Sequence, residues 1–172
     1  MKHALVIGGT GMLSGTVKWL IKEGWHVSVT GRTHRKMKQF LKYKEITPIY
    51  ADYHHTKEMN KKIMQAVDNE GPIELVIAWI HSDAKGALHE VMSEITKRKQ
   101  HVDLYHIVSG TTKMDELKNE VTAPVNCIYH QVKLGFIKER SIRRWLTHKE
   151  ISEGVIEAVK NHQRTFIIGV LK

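Results

Sequence analysis

The chain has a single cysteine, three prolines and few aromatics, 7% of its 172 residues. One cysteine excludes an internal disulfide and suits a reducing compartment. Cys127 lies in an apolar stretch and is expected to be a buried, inert thiol. No apolar run approaches the ~18 residues that a membrane span needs. Met1-Lys2-His3 leads straight into an expected strand and leaves no room for a signal peptide. A cytoplasmic protein with no membrane partner is the expectation. Repeats, low-complexity tracts and linkers are missing too, so one domain over residues 1–172 is expected, large enough to bury a core. Acidic residues are the scarcer charge, 18 against 27 Lys and Arg, for a formal net charge of +9. The cations are spread over every expected helix, and no basic strand studded with aromatics stands out. The charge is therefore read as a solvated surface that favours small anionic ligands, and nucleic acid is not the expected partner.

Several chemistries lack their residues. The twelve histidines form no His-Glu-x-x-His or other ligand spacing, and His54-His55 reads as a surface pair before a helix, so no metal is expected. Ser109-Gly110 lacks the Gly-x-Ser-x-Gly of a nucleophile elbow. No lysine follows the glycine turn, which argues against phosphoryl transfer.

What is present is a regular alternation of strands and helices. Strands are predicted at 4–7, 26–30, 46–51, 74–80, 102–108, 125–137 and 165–171. Helices are predicted at 12–23, 33–43, 56–69, 83–99 and from Thr147 through Val159, with a short polar helix or loop at 111–121. The run Leu75-Val76-Ile77-Ala78 is continuously apolar, as in a strand covered on both faces. Strands and helices in this order imply an α/β fold, a doubly wound, mostly parallel sheet of six or seven strands.

The first strand runs into Gly8-Gly9-Thr10-Gly11-Met12-Leu13, and a helix follows. Strand, glycine turn and helix together are the context a dinucleotide fingerprint requires. Gly8 allows the sharp turn, Gly11 lets backbone N–H groups approach a pyrophosphate, and the helix N-terminus favours the anion. Ser14 stands where a third glycine is usual, with Gly15 beside it giving slack. After the second strand come Arg32 and Thr33 with no acid nearby. A carboxylate there would suit the ribose of NAD, whereas an arginine suits the 2′-phosphate of NADP, so NADP is preferred over NAD. Asp52 and Tyr53 follow the third strand, where Asp52 either meets the adenine or only caps the next helix. Ala78, Trp79 and Ile80 end the fourth strand on the cofactor side.

These residues resemble the short-chain dehydrogenase/reductase family over nearly the whole chain. The likeness rests on Gly8-Gly9-Thr10-Gly11, Gly31-Arg32, Asp52, Ser109 and Val125-Asn126-Cys127-Ile128. Arg144 through Val155 resembles the family's last helix, and Phe166 to Leu171 its closing strand. The resemblance implies a Rossmann sheet, a homo-oligomer, and hydride exchange with a small carbonyl or alcohol substrate. It also implies a catalytic serine, tyrosine and lysine, for which Ser109, Tyr129 and Lys133 are the candidates.

The departures are specific. The family's Tyr-x-x-x-Lys lies on a long helix before the sixth strand, and Gly110 to Val125 leaves no room for it. Tyr129 and Lys133 fall inside a segment of period-two alternation. On a strand they would be ~13 Å apart, on a helix about 6 Å. Ala78-Trp79-Ile80-His81 replaces the family's Asn-Asn-Ala-Gly turn. His81 and His130 are further polar candidates for hydride chemistry. Two functions remain open, an NADP-dependent oxidoreductase and a non-catalytic NADP-binding sensor or interaction module.

Overall fold

The computed structural model describes residues 1–81, 84, 86–99, 101–111 and 126–172. Strands β1 (His3–Ile7), β2 (His26–Gly31), β3 (Ile46–Tyr50), β4 (Ile73–Trp79), β5 (Val102–Ser109), β6 (Cys127–Leu134) and β9 (Thr165–Ile168) form one seven-stranded sheet. Its order is β3-β2-β1-β4-β5-β6-β9, and every neighbouring pair is parallel. The chain winds outward from β1 in both directions. That makes the carboxyl ends of β1 and β4 the topological switch point, the usual ligand position in such sheets.

Helices cover both faces. α1 (Ser14–Lys22) and α5 (His148–Lys160) pack on one face, α3 (Thr56–Glu70) and α4 (Ala87–Thr96) on the other. β1 shows what this demands of a strand. All five of its residues are buried, with Ala4 and Val6 in one core and Leu5 and Ile7 in the other. Pro48 pairs with Val29 in β3, where the sheet edge tolerates a residue with no amide hydrogen. Thr147 caps α5 with a complete capping box, its hydroxyl accepting from the Glu150 amide while Glu150 reaches back to Thr147.

Some boundaries differ from the sequence expectation. The segment expected as a helix over 33–43 is one turn, α2 (His34–Met37), followed by a 3₁₀ turn, Lys38–Phe40. The expected helix over 83–99 is observed from Ala87, with Gly86 before it in a left-handed conformation; residues 82, 83 and 85 lie outside the described residues. So does most of the element expected at 111–121.

The largest correction lies after β6. The strand expected to run from 125 to 137 ends at Leu134, and the chain turns into a separate antiparallel hairpin, β7 (Phe136–Glu139) and β8 (Ile142–Trp145). Gly135 N–H donates to Ile168 O at 2.8 Å, and Phe136 and Val170 exchange two backbone bonds of 2.8 Å. This crossing with the end of β9 diverts the chain from the sheet. Arg144 and Trp145, which the resemblance placed in the last helix, are therefore on a strand.

Candidate nucleotide site

The glycine turn is built on steric necessity. Gly8 has φ +79°, and a Cβ there would lie 2.9 Å from the Trp79 carbonyl oxygen. Both conformation and space demand glycine. Its N–H donates to Thr30 Oγ1 at 3.1 Å, tying the turn to the end of β2. Above Gly11 no heavy atom lies within 4 Å of a would-be Cβ. The side of the turn that would meet a pyrophosphate is open.

α1 begins without a capping side chain. Its N-cap is Leu13, which is fully buried in the core, and Ser14 N–H bonds Gly11 O at 3.0 Å. The polar partner at this end comes from 136 residues later in the chain. Ser152 Oγ accepts from Thr16 N–H at 3.3 Å and donates to Met12 O at 2.7 Å. Thr16 Oγ1 returns a bond to Ser152 O at 3.3 Å. Gly15 makes this approach possible, because a Cβ on it would lie 2.9 Å from Ser152 Cβ. Gly15 is a tight contact, contrary to the slack expected of it. Sequence reasoning missed Ser152, and no local pattern marks it.

At the carboxyl end of β2, Arg32 is exposed and no acid precedes it in the strand. Thr33 caps α2, its Oγ1 accepting from Lys36 N–H at 3.4 Å. Gln39 Nε2 donates to Thr10 O at 3.0 Å and joins this segment to the glycine turn. Arg35 and Lys36 are exposed beside Arg32. At the end of β3, Tyr50 stacks on His34 with ring centroids 4.5 Å apart. This aromatic plate near Arg32 was not legible in the sequence.

Asp52 Oδ1 accepts from His54 N–H at 2.9 Å and lies 2.7 Å from His54 Nδ1. The backbone bond, then the ring, holds its carboxyl below the usual carboxylate range, with Arg32 contributing more weakly. Asp52 is thus a turn-forming residue ahead of α3. Tyr53 is half-buried against the α3 core. Ala78 is fully buried, so it offers the site only its backbone; Trp79 and Ile80 are half-buried at the mouth, with the His81 ring 6.3 Å from Trp79. The structure brings Gly8, Thr10, Gly11, Met12, Arg32, Thr33 and Trp79 to one end of the sheet.

It does not bring Ser109, Tyr129 and Lys133 together. Tyr129 and Lys133 lie on β6, opposite Leu104 and Val108 of β5, while Ser109 ends β5 opposite Leu134. Tyr129 is five rows from Ser109, roughly 16 Å at ~3.3 Å per residue. The Tyr129 hydroxyl is already engaged, 2.9 Å from His106 Nδ1 and accepting from Gln131 Nε2 at 3.1 Å. Burial is the main cause that pushes its pKa up, away from what an acid/base tyrosine needs near neutral pH. Ser109 Oγ is 3.1 Å from Thr111 Oγ1. His130 is buried, stacked on Tyr105 at 4.1 Å and held between Asp103 Oδ1 and Gln163 O at 2.9 Å each. It ties β6 to β5 and to the turn that follows α5.

No family model and no curated protein sequence matches the chain. Solved structures do. The chain superposes with a TM-score of 0.73 on a structure described as a short-chain dehydrogenase/reductase family oxidoreductase from Aeromonas hydrophila, covering 100% of both chains at 15% identity. Its fold is that of the short-chain dehydrogenases/reductases. A glucose/ribitol dehydrogenase of that family from Brucella melitensis gives 0.73 at 12% identity, over 98% of this chain and 94% of the other. A short-chain dehydrogenase from Burkholderia cenocepacia, solved with NADP, gives 0.70 at 14% identity, over 99% and 90%. Within this short-chain dehydrogenase fold, the hairpin β7–β8 stands between the sixth strand and the last helix, leaving the sheet at the same end as the glycine turn.

Proposed function

We propose that this chain binds NADP across the carboxyl ends of β1, β2 and β4 and serves as a nucleotide-binding sensor or interaction module. The observation that carries the reading is the Gly8 turn, locked to Thr30 and Trp79, with open space above Gly11. A pyrophosphate placed there meets backbone N–H groups at the start of α1. Arg32 supplies a donor fork for a 2′-phosphate, supported by the exposed cations Arg35 and Lys36. The absence of an acid at the end of β2 favours NADP over NAD.

NADP, when bound, supplies a hydride donor or acceptor. Protein-assisted turnover also needs a proton donor at the reacting carbonyl. Tyr129 is separated from Ser109 by five strand rows, and its hydroxyl is bonded within the sheet. That arrangement favours the binding module over the family's oxidoreductase chemistry. Titration of the protein with NADPH and with NADH, read by nucleotide fluorescence, tests the proposal. Tighter binding of NADPH, lost selectively in Arg32→Ala, supports it. Failure to bind either nucleotide overturns it.

A further inference from the structure

The β7–β8 hairpin has two faces set by its register. Phe136 pairs with Trp145 and Lys138 with Arg143, while Ile137 pairs with Arg144 and Glu139 with Ile142. Because side chains alternate along a strand, Phe136, Lys138, Arg143 and Trp145 share one face. On the other face Arg144 is committed, reaching Glu150 Oε1 at 2.7 Å and Glu139 Oε1 at 3.5 Å.

The first face is not neutralised. Among the described residues Lys138, Arg140 and Arg143 have no ion-pair partner. Lys138 and Arg143 stand directly across the ladder, a like-charge pair that destabilises a two-stranded ribbon. Beside them Trp145 is 77% exposed, with Phe136 at a ring-centroid distance of 4.8 Å. The ribbon is not a loose appendage, because the paired backbone bonds between Phe136 and Val170 fix its base.

We propose that this face of the hairpin binds single-stranded nucleic acid, with phosphates on Lys138 and Arg143 and a base stacked on Trp145. Charge complementarity selects this occupant. Ten residues, 136–145, carry four cations and one acid, so a second copy of this cationic face is repelled. A polyanion relieves the Lys138–Arg143 repulsion, and a flat exposed indole on a basic surface is the stacking platform such strands use. The tip, Glu139-Arg140-Ser141, is polar and charged, which disfavours insertion into a bilayer. The cations that looked dispersed along the sequence are gathered here by the pairing of β7 with β8.

The test is fluorescence anisotropy of a labelled oligouridylate with the full-length chain, at about 50 and 200 mM salt. Two phosphate contacts predict a loss of roughly sevenfold across that range. Trp145→Ala and the double variant Lys138→Glu/Arg143→Glu are each expected to weaken binding about tenfold or more. Both should keep their circular dichroism and thermal transition, since all three side chains are exposed. Absence of binding at the lower salt overturns the proposal. So does binding unchanged by Trp145→Ala, or equal binding to a duplex of the same length. Capture by phosphatidylserine vesicles without oligouridylate binding would also overturn it, in favour of a membrane surface. The readout does not involve the nucleotide site, so it stands or falls apart from NADP binding.

Discussion

Ser152 in the last helix donates a 2.7 Å hydrogen bond to the carbonyl of Met12 in the glycine turn, 140 residues earlier in the chain. The same hydroxyl accepts from Thr16 N–H. One buried side chain thus braces the start of α1, which the proposed nucleotide site depends on.

Replacing it should disturb both stability and binding. Ser152→Ala leaves the Thr16 N–H and the Met12 carbonyl without this partner, at a cost of about 1–3 kcal/mol. Gly15→Ala forces a Cβ to within 2.9 Å of Ser152 Cβ, an overpacking cost of about 1–3 kcal/mol. Ser152→Gly alone loses the same bonds, but added to Gly15→Ala it removes the facing atom, so the double variant should cost less than the sum of Gly15→Ala and Ser152→Gly. Urea midpoints for the four variants and the parent check this.

Acid should weaken the fold in a defined window. Burial drives the His106 pKa from its ordinary 6.5 down to about 4. His3, bonded to Gly71 O and Ser28 Oγ, is also lowered, first by burial, with the neighbouring His26 adding to it. A histidine with a depressed folded pKa binds its proton more readily when unfolded. Stability therefore falls as pH drops below about 6.5 and levels off near 4. For His106 alone the expected loss is ~2 kcal/mol between pH 7 and pH 5. Chemical denaturation at those two pH values should show it, and His106→Gln should flatten the slope.

Tyr129→Phe separates a structural tyrosine from a catalytic one. Its hydroxyl receives Gln131 Nε2 and meets His106 Nδ1, and Gln131 Oε1 is already a buried atom with no partner. Removing the hydroxyl should lower stability by about 1–2 kcal/mol and leave NADPH affinity unchanged. Any carbonyl-dependent NADPH oxidation in the parent should persist in the variant. Turnover abolished at full stability would restore Tyr129 to a catalytic role.

Much of the fold was legible because local signals agreed. The apolar runs of β1 and β4 and the glycine turn each state one conformation. Thr147, expected to cap the last helix, does cap it, and Glu150 completes a capping box there. The period-two alternation Ile128, His130, Val132, Leu134 correctly placed Tyr129 and Lys133 on a strand. The same alternation continues smoothly into Phe136, so nothing local announced the break at Gly135. That break comes from Val170, far along the chain, which pairs with Phe136. Ser152 was illegible for the same reason, since its partners Met12 and Thr16 are brought to it only by the packing of α1 on α5. The hairpin's charge is a further case, because Lys138 and Arg143 become neighbours only through strand pairing.

NADPH and NADH titrations of the parent, Arg32→Ala and Gly8→Ala bear directly on the nucleotide site. Gly8→Ala places a Cβ 2.9 Å from the Trp79 carbonyl at a positive φ, so it should abolish binding of both nucleotides. Arg32→Ala should weaken NADPH by roughly tenfold, the scale of a lost charge-assisted contact, and leave NADH unchanged. Equal affinity of the parent for both nucleotides, with Arg32→Ala silent, would contradict the NADP preference. No binding by the parent would contradict the account of the site.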